Sequence, residues 1–324
     1  MGYLALHILL NAVFGLSTRV AQTRGYDFFL VTGANYVLAL LGAAVWAALQ
    51  PVWRIDWTTA LLGCAQGAQF ASTIVAIYFL LVRTGVGITY ALIRLSVVVP
   101  TLASILLFGE SLRPTAIAGL VMLLAAVPLL SATASNGQRR LRWPAIALTG
   151  VTIAITGLGA TAAKTFTEWR SEEFRAGYVV CVFAAATIVA LVTFAGRRRL
   201  QPEFLPPLPG SVAAGAPPPH PAGAGDGKSF TWRLPHEEGR RVGARVFVAM
   251  LLNGGVMGAA NVAQNLFLLA ALRTIPGSLV FPIQSSVSVL LMNAAGYALW
   301  HERHGREALV GVVLACTGLV LVNV

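Results

Sequence analysis

The sequence predicts an all-α integral membrane protein whose ten transmembrane helices form two inverted five-helix repeats. Three observations lead there. Of the 324 residues, 57% are hydrophobic and only 11% are charged, a balance unlike that of soluble globular chains. The apolar residues come in runs of about twenty, the length a helix needs to cross roughly 30 Å of hydrocarbon. And the stretch 85–110 returns without gaps as 277–302, an offset of 192 residues, so the chain is an internal duplication. At that offset Gly63 faces Gly255, Ser96 faces Ser288, Glu110 faces Glu302 and Gly119 faces Gly311.

The runs follow in order. Residues 3–18 come first. Met1, Gly2, Tyr3 and Leu4 supply no basic segment, so this run is expected to be a retained helix and not a secretory signal. Runs 28–49, 57–82, 86–108 and 115–131 complete the first half, 1–131. Gly109, Glu110, Ser111, Leu112, Arg113 and Pro114 make a tight turn before the fifth run. Pro114 suits the first turn of a helix, where its missing N–H costs nothing. A link, 132–143, carries Arg139, Arg140 and Arg142. The second half, 144–324, repeats the pattern with runs at 143–163, 176–195, 246–272, 277–300 and 308–324. One long loop, 197–241, interrupts it. There Pro206, Pro207, Pro209, Pro217, Pro218, Pro219 and Pro221 stand among Gly and Ala, a composition that reads as extended or disordered. A sheet is excluded, because the runs are too long and lack period-two alternation. Helices, by contrast, satisfy their own backbone in lipid.

An odd number of helices per copy makes the two copies enter the membrane from opposite sides. That is the inverted repeat of many secondary transporters, whose site lies near midplane between the halves. Lys and Arg number sixteen in the odd-numbered loops and six in the even ones, which puts the odd loops in the cytoplasm and both termini outside. The net charge of +11 is accounted for by membrane-flanking arginines. No folded basic surface for nucleic acid is offered. The expected location is the cell's inner (plasma) membrane, multi-pass, with the lipid bilayer as surroundings.

After the fourth run the chain reads Leu107-Phe108-Gly109-Glu110-Ser111-Leu112, with Pro100 upstream and Gly119 downstream. The second copy reads Pro276-Gly277-Ser278-Leu279-Val280-Phe281-Pro282, then Trp300-His301-Glu302, then Gly311. This resembles EamA-type transporters of the drug/metabolite transporter superfamily, whose repeat carries a proline in the fourth helix, a Gly-Glu turn and a glycine in the fifth. In the second copy His301 replaces the turn glycine, and Pro282 does not align with Pro100. The resemblance covers both halves apart from the long loop. It implies a ten-helix carrier for small polar metabolites or drugs with both termini in the cytoplasm, against the loop-charge count.

Ionisable residues inside a membrane cost about 2.5–3.5 kcal/mol each on insertion scales and are functional candidates. Arg94, with Tyr90, Ser96 and Thr101 on its run, is the clearest; it would either contact an anion or hydroxyl or be a structural Arg held by helix-end carbonyls or a partner helix. All twelve carboxylates lie in loops or at helix ends. Small multidrug-resistance proteins, similar in superfamily, use a membrane-embedded Glu to exchange protons for cationic drugs. A neutral or anionic solute suits this chain better. Gln66, Gln69 and Thr73 share one helix face, and Asn253, Asn261, Gln264 and Asn265 stand on the repeat-related run. Gln69 aligns with Asn261 and Thr73 with Asn265. Such amides bind hydroxyls or carboxylates, or serve as interhelical links. Gln284, Ser285 and Ser286 follow Pro282, and Ser286 aligns with Arg94. Lys164 and Asn11 are further candidates. Glu110 and Glu302 read as turn residues that fix their hairpins.

Cys64, Cys181 and Cys316 read as small buried hydrophobes. His301 and His304 lack a third ligand, so no metal site is expected. No catalytic arrangement, phosphate-binding loop or cofactor fingerprint appears. The reading is therefore not an enzyme but a secondary transporter of a small polar metabolite, sugar-like or amino-acid-like, working by alternating access. A coupling ion, proton or sodium, is among the expected partners, and monomer and homodimer both stay open. A drug/metabolite exporter of broad specificity is the alternative. A membrane scaffold or sensor docking through the Pro-rich loop, or an enzyme on a lipid substrate, ranks below both.

Overall fold

The computed structural model describes residues 1–24, 26–84, 96–111, 113–131, 143–204, 244–300 and 306–323. Arg94, Tyr90, His301, Glu302, His304 and residues 205–241 of the Pro-rich loop lie outside them. The described residues contain ten α-helices and no strand. They are α1 (Gly2–Thr23), α2 (Phe28–Ala48), α3 (Trp57–Thr84), α4 (Val98–Phe108), α5 (Pro114–Ser131), α6 (Trp143–Trp169), α7 (Arg175–Phe204), α8 (Ala244–Thr274), α9 (Gly277–Trp300) and α10 (Arg306–Asn323).

Local chemistry sets the ends. Asp27 accepts from the backbone N–H groups of Phe29 and Leu30 and so caps α2. Asp56 does the same for Thr59 in the first turn of α3. Pro114 is the first residue of α5, as its ring geometry favours. Gly109 ends α4 at φ 65°, a left-handed turn that suits a residue without a side chain. Some helices outrun their apolar cores. α7 continues through Arg197, Arg198 and Arg199, expected in the loop, and α6 runs past Ala163 to Trp169. Hydropathy marks where a helix suits lipid, while its hydrogen bonding continues until a cap or breaker stops it.

Among the described residues, four helical stretches, Gly2–Ala21, Phe29–Ala48, Glu172–Gly196 and Ala244–Thr274, are long and apolar enough to cross a membrane. The distribution of side chains agrees. Leu41, Val45, Leu106, Ile188, Val192 and Leu252 are exposed, whereas His7, Asn35, Gln66, Lys164 and Asn265 are buried. A wide apolar surface over a partly polar interior suits hydrocarbon surroundings and not water. The chain is a membrane protein. One expectation is corrected: Cys64 and Cys316 are exposed and Cys181 is half-buried. The first two lie on outward helix faces, which an apolar sequence position alone does not distinguish from inward ones.

The helices close into a ring in the order α3, α6, α4, α9, α1, α8, α2, α7 and back to α3, each packed on the next. α5 and α10 pack on each other outside the ring, and α5 also rests on α9. Moving five helices along the chain maps this ring onto itself: α3 on α7 corresponds to α8 on α2, and α1 on α8 to α6 on α3.

The close contacts repeat in atomic detail. A Cβ on Gly63 would lie 2.7 Å from the Cys181 Cβ and 2.9 Å from the Tyr178 carbonyl oxygen. On Gly254 it would lie 2.6 Å from the Ala34 Cβ and 2.9 Å from the Val31 carbonyl oxygen. Gly67 and Gly258, one turn on in each helix, press on the backbones of Val182 and Asn35. Small residues one turn apart let membrane helices approach this closely. The equivalent of Gly63 is thus Gly254, where the gapless sequence alignment pairs it with Gly255. The second copy holds one residue more between Gly254 and Gly277 than the first holds between Gly63 and Gly85. In the packing register Gln69 therefore corresponds to Ala260 and Thr73 to Gln264.

Candidate functional site

α1 runs antiparallel to α8. His7 meets Gln264, its Nδ1 lying 2.7 Å from the Gln264 carbonyl oxygen, while Asn253 donates to the Ser17 carbonyl oxygen at 3.2 Å. Because a carbonyl only accepts, His7 carries its proton on Nδ1. The side chain of Gln264 turns along its own helix and donates from Nε2 to Asn261 Oδ1 at 3.0 Å. α9 returns beside α1 after the short turn at Ile275 and Pro276 and packs on it through Gly15 and Met292. At 1.5 Å per residue, Gln264 lies about 15 Å from that turn and Gln284 about 11 Å. His7, Gln264 and Gln284 therefore stand at nearly one level on three neighbouring helices.

That level is polar and closed. His7, Asn261, Gln264, Asn265 and Ser285 are all buried. Several of their polar atoms have no protein partner: Gln264 Oε1, both side-chain polar atoms of Asn265, Gln284 Oε1 and Ser285 Oγ. Asn35, on α2 against Gly258 of α8, is also fully buried with neither side-chain atom partnered. Native interiors satisfy nearly all buried polar groups, and each exception costs about 1–3 kcal/mol, so these atoms are candidates for contact with water or a bound molecule.

The remaining predicted residues are tied into the frame. Gln66 accepts from the Tyr178 hydroxyl at 2.6 Å, and Tyr178 stacks on Phe166 at 4.0 Å, so these residues join α3, α6 and α7. Gln69 lies against Gly159 and donates to Thr73 at 3.0 Å, and Thr73 meets Thr156 of α6 at 2.9 Å. Ser286 points the other way and donates to the Leu123 carbonyl oxygen of α5 at 3.4 Å. The structure thus gathers Asn261, Gln264, Gln284 and Ser285 along the α1, α8 and α9 side, gives Gln66 and Ser286 interhelical partners, and ties Gln69 to Thr73 on its own helix. His7 and Asn35 were not singled out from the sequence. Each is a polar residue in an otherwise largely apolar run, which is the signal the sequence offers for it.

A second polar centre lies at the helix ends. Glu110 accepts from the backbone N–H groups of Gly277 and Ser278, each at 2.8 Å, and so caps α9 in the opposite half instead of its own hairpin. Lys164 of α6 reaches Glu110 at 2.8 Å and Glu168 at 2.5 Å. Burial alone would raise the Glu110 carboxyl above its ordinary value. The hydrogen bonds from Lys164, Ser278 and Gly277 outweigh it and hold the group below. Alongside, Asp56 meets Arg170 at 2.7 Å and Arg54 meets Glu173 at 3.4 Å. Hydrogen bonds from Thr59, with the Arg170 charge behind them, lower the Asp56 carboxyl too.

No family model matches the chain, and no curated protein matches its sequence. A solved crystal structure is similar over 100% of this chain and 99% of that one, with a TM-score of 0.67 at 15% sequence identity. At that identity the likeness shows the fold alone.

Proposed function

We propose that the chain is a multi-pass carrier of the plasma membrane, ten spans in two inverted repeats, that moves a small polar solute by alternating access. The observation that carries this reading is the conjunction of two features. The helix ring maps onto itself when the halves are exchanged, and buried amide atoms without protein partners stand on α8 and α9. Donors and acceptors without charge suit a neutral, hydroxyl- or amide-bearing solute. Arg94 and Tyr90, on the apolar run 86–108 that ends in α4, remain the proposed contacts for an anionic group. Gln66, Gln69 and Ser286 would act as the frame. The likeness of the Gly109-Glu110 turn to EamA-type transporters agrees with this reading.

The test is uptake into liposomes by purified protein, using solutes that first raise its melting temperature in a metabolite screen. Gln264→Ala and Gln284→Ala should each lower uptake about tenfold or more, the effect of about 1–2 kcal/mol of lost hydrogen bonding. Uptake unchanged in both variants would remove the amides from the path. Failure of every stabilising solute to cross would remove the carrier reading.

A further inference from the structure

On one face of the bundle the two halves are fastened by ion pairs. Arg54, Asp56 and Glu110 come from the first half; Glu173, Arg170 and Lys164 come from the second. The first two pairs are substantially exposed, and exposed pairs hold little. The third is of another kind. Lys164 is only 3% exposed and Glu110 only 11%, and the same carboxylate holds the first two N–H groups of α9. One residue of the first half thus closes on two helices of the second. It does so at the mouth of α9, the helix that carries Gln284 and Ser285.

We infer that the Glu110–Lys164–α9 junction is the gate that shuts this face of the bundle over the amide cluster. The inference rests on the carrier reading and adds where the path closes. Three observations support a part that opens rather than a permanent joint. Lys164 has a second carboxylate, Glu168, one turn away on its own helix. When Glu110 leaves, the lysine stays neutralised, which removes the large penalty of an isolated buried charge. Glu110 itself stands on the turn begun by Gly109, outside any helix, so it can leave without breaking a helical hydrogen-bond ladder. Finally, the seam under the junction is poorly knit. Ser104 Oγ lies against Gly277 and is buried without a partner. Parting α4 from α9 there breaks no side-chain hydrogen bond of Ser104, and water entering would satisfy it.

The experiment reads access, not transport. The three native cysteines are replaced by alanine, and Ser285→Cys serves as reporter. Its labelling by a membrane-impermeant thiol reagent is timed from each side of oriented vesicles. Glu110→Ala should speed labelling from the side bearing residues 109–113 about tenfold, a modest population shift, and slow it from the other side. Lys164→Arg should leave both rates near those of the parent. A second variant clamps the seam instead of loosening it. Ser104→Cys with Gly277→Cys brings two side chains within disulfide reach. Once oxidised, it should suppress labelling from that side, and reduction should restore it. Unchanged labelling both in Glu110→Ala and in the oxidised clamp would overturn the gate whatever the protein transports. Faster labelling from the near side without slowing from the far side would keep the gate and discard alternating access.

Discussion

The two polar centres of this protein solve opposite problems. At the helix ends, Glu110 holds two backbone N–H groups and a lysine, and Lys164 holds two carboxylates. On α1, α8 and α9 the polar atoms are as deeply buried, yet Gln264 Oε1, Asn265 and Ser285 Oγ meet no protein group. Saturated groups fix geometry, and unsaturated ones leave room for something that comes and goes. The comparison teaches how to sort polar residues inside a membrane bundle. Glu110 and Lys164 are buried much as Gln264 is, and they differ from it in how many partners the protein itself supplies.

The comparison breaks most visibly at Lys164. Lys164→Met leaves Glu110 and Glu168 without their cation and should destabilise the protein by about 3 kcal/mol, read as lost thermal or denaturant resistance in mild detergent. An equal melting curve would make the junction ornamental. The same contact carries a pH dependence. Glu110 sits below its ordinary value near 4.5 in the folded protein. Its contribution is therefore complete above that value and disappears as the pH falls through the lower folded one. The melting temperature in mild detergent should hold above the ordinary carboxylate value and drop as the pH falls below it. The Glu110→Gln variant should lose that acid step.

Next in size is the frame. Gln66→Leu strands the Tyr178 hydroxyl in a fully buried place and should cost about 1–2 kcal/mol. Adding Tyr178→Phe should recover most of it, the signature of a pairwise bond. Uptake, once a solute is known, should survive both. The amide centre should behave in the reverse way. Asn265→Leu removes two unsatisfied atoms, so stability should hold or rise by up to about 1 kcal/mol while uptake falls. A clear loss of stability would return Asn265 to the frame. Smallest is Thr156→Val, which removes one link to Thr73 and should cost about 0.6 kcal/mol, the average for such bonds between membrane helices.

Much of the fold could be read from the chain. The apolar runs marked all ten helices, most ends fell within a few residues, and Pro114 and Gly109 punctuated the fourth and fifth as expected. The site was less readable. Gln66 and Asn261 look alike in sequence, each an amide on a repeat-related helix. Yet one is held by Tyr178, 112 residues away, and the other by Gln264, one turn along. Nor did the Gly-Glu turn announce that Glu110 would cap a helix 167 residues distant.

The physical division follows from range. Hydropathy, helix punctuation and the 192-residue repeat are properties of neighbouring residues or of spacing along the chain, and the sequence carries them whole. Which polar atom meets which depends on the rotation of each helix about its axis. One residue turns a helical position by about 100°. A register shift of one, such as that between Gly63 and Gly254, is therefore enough to exchange an inward amide for an alanine. Only packing at the close glycine contacts sets that rotation, so only the tertiary structure separated the residues that hold the bundle together from those that wait for a partner.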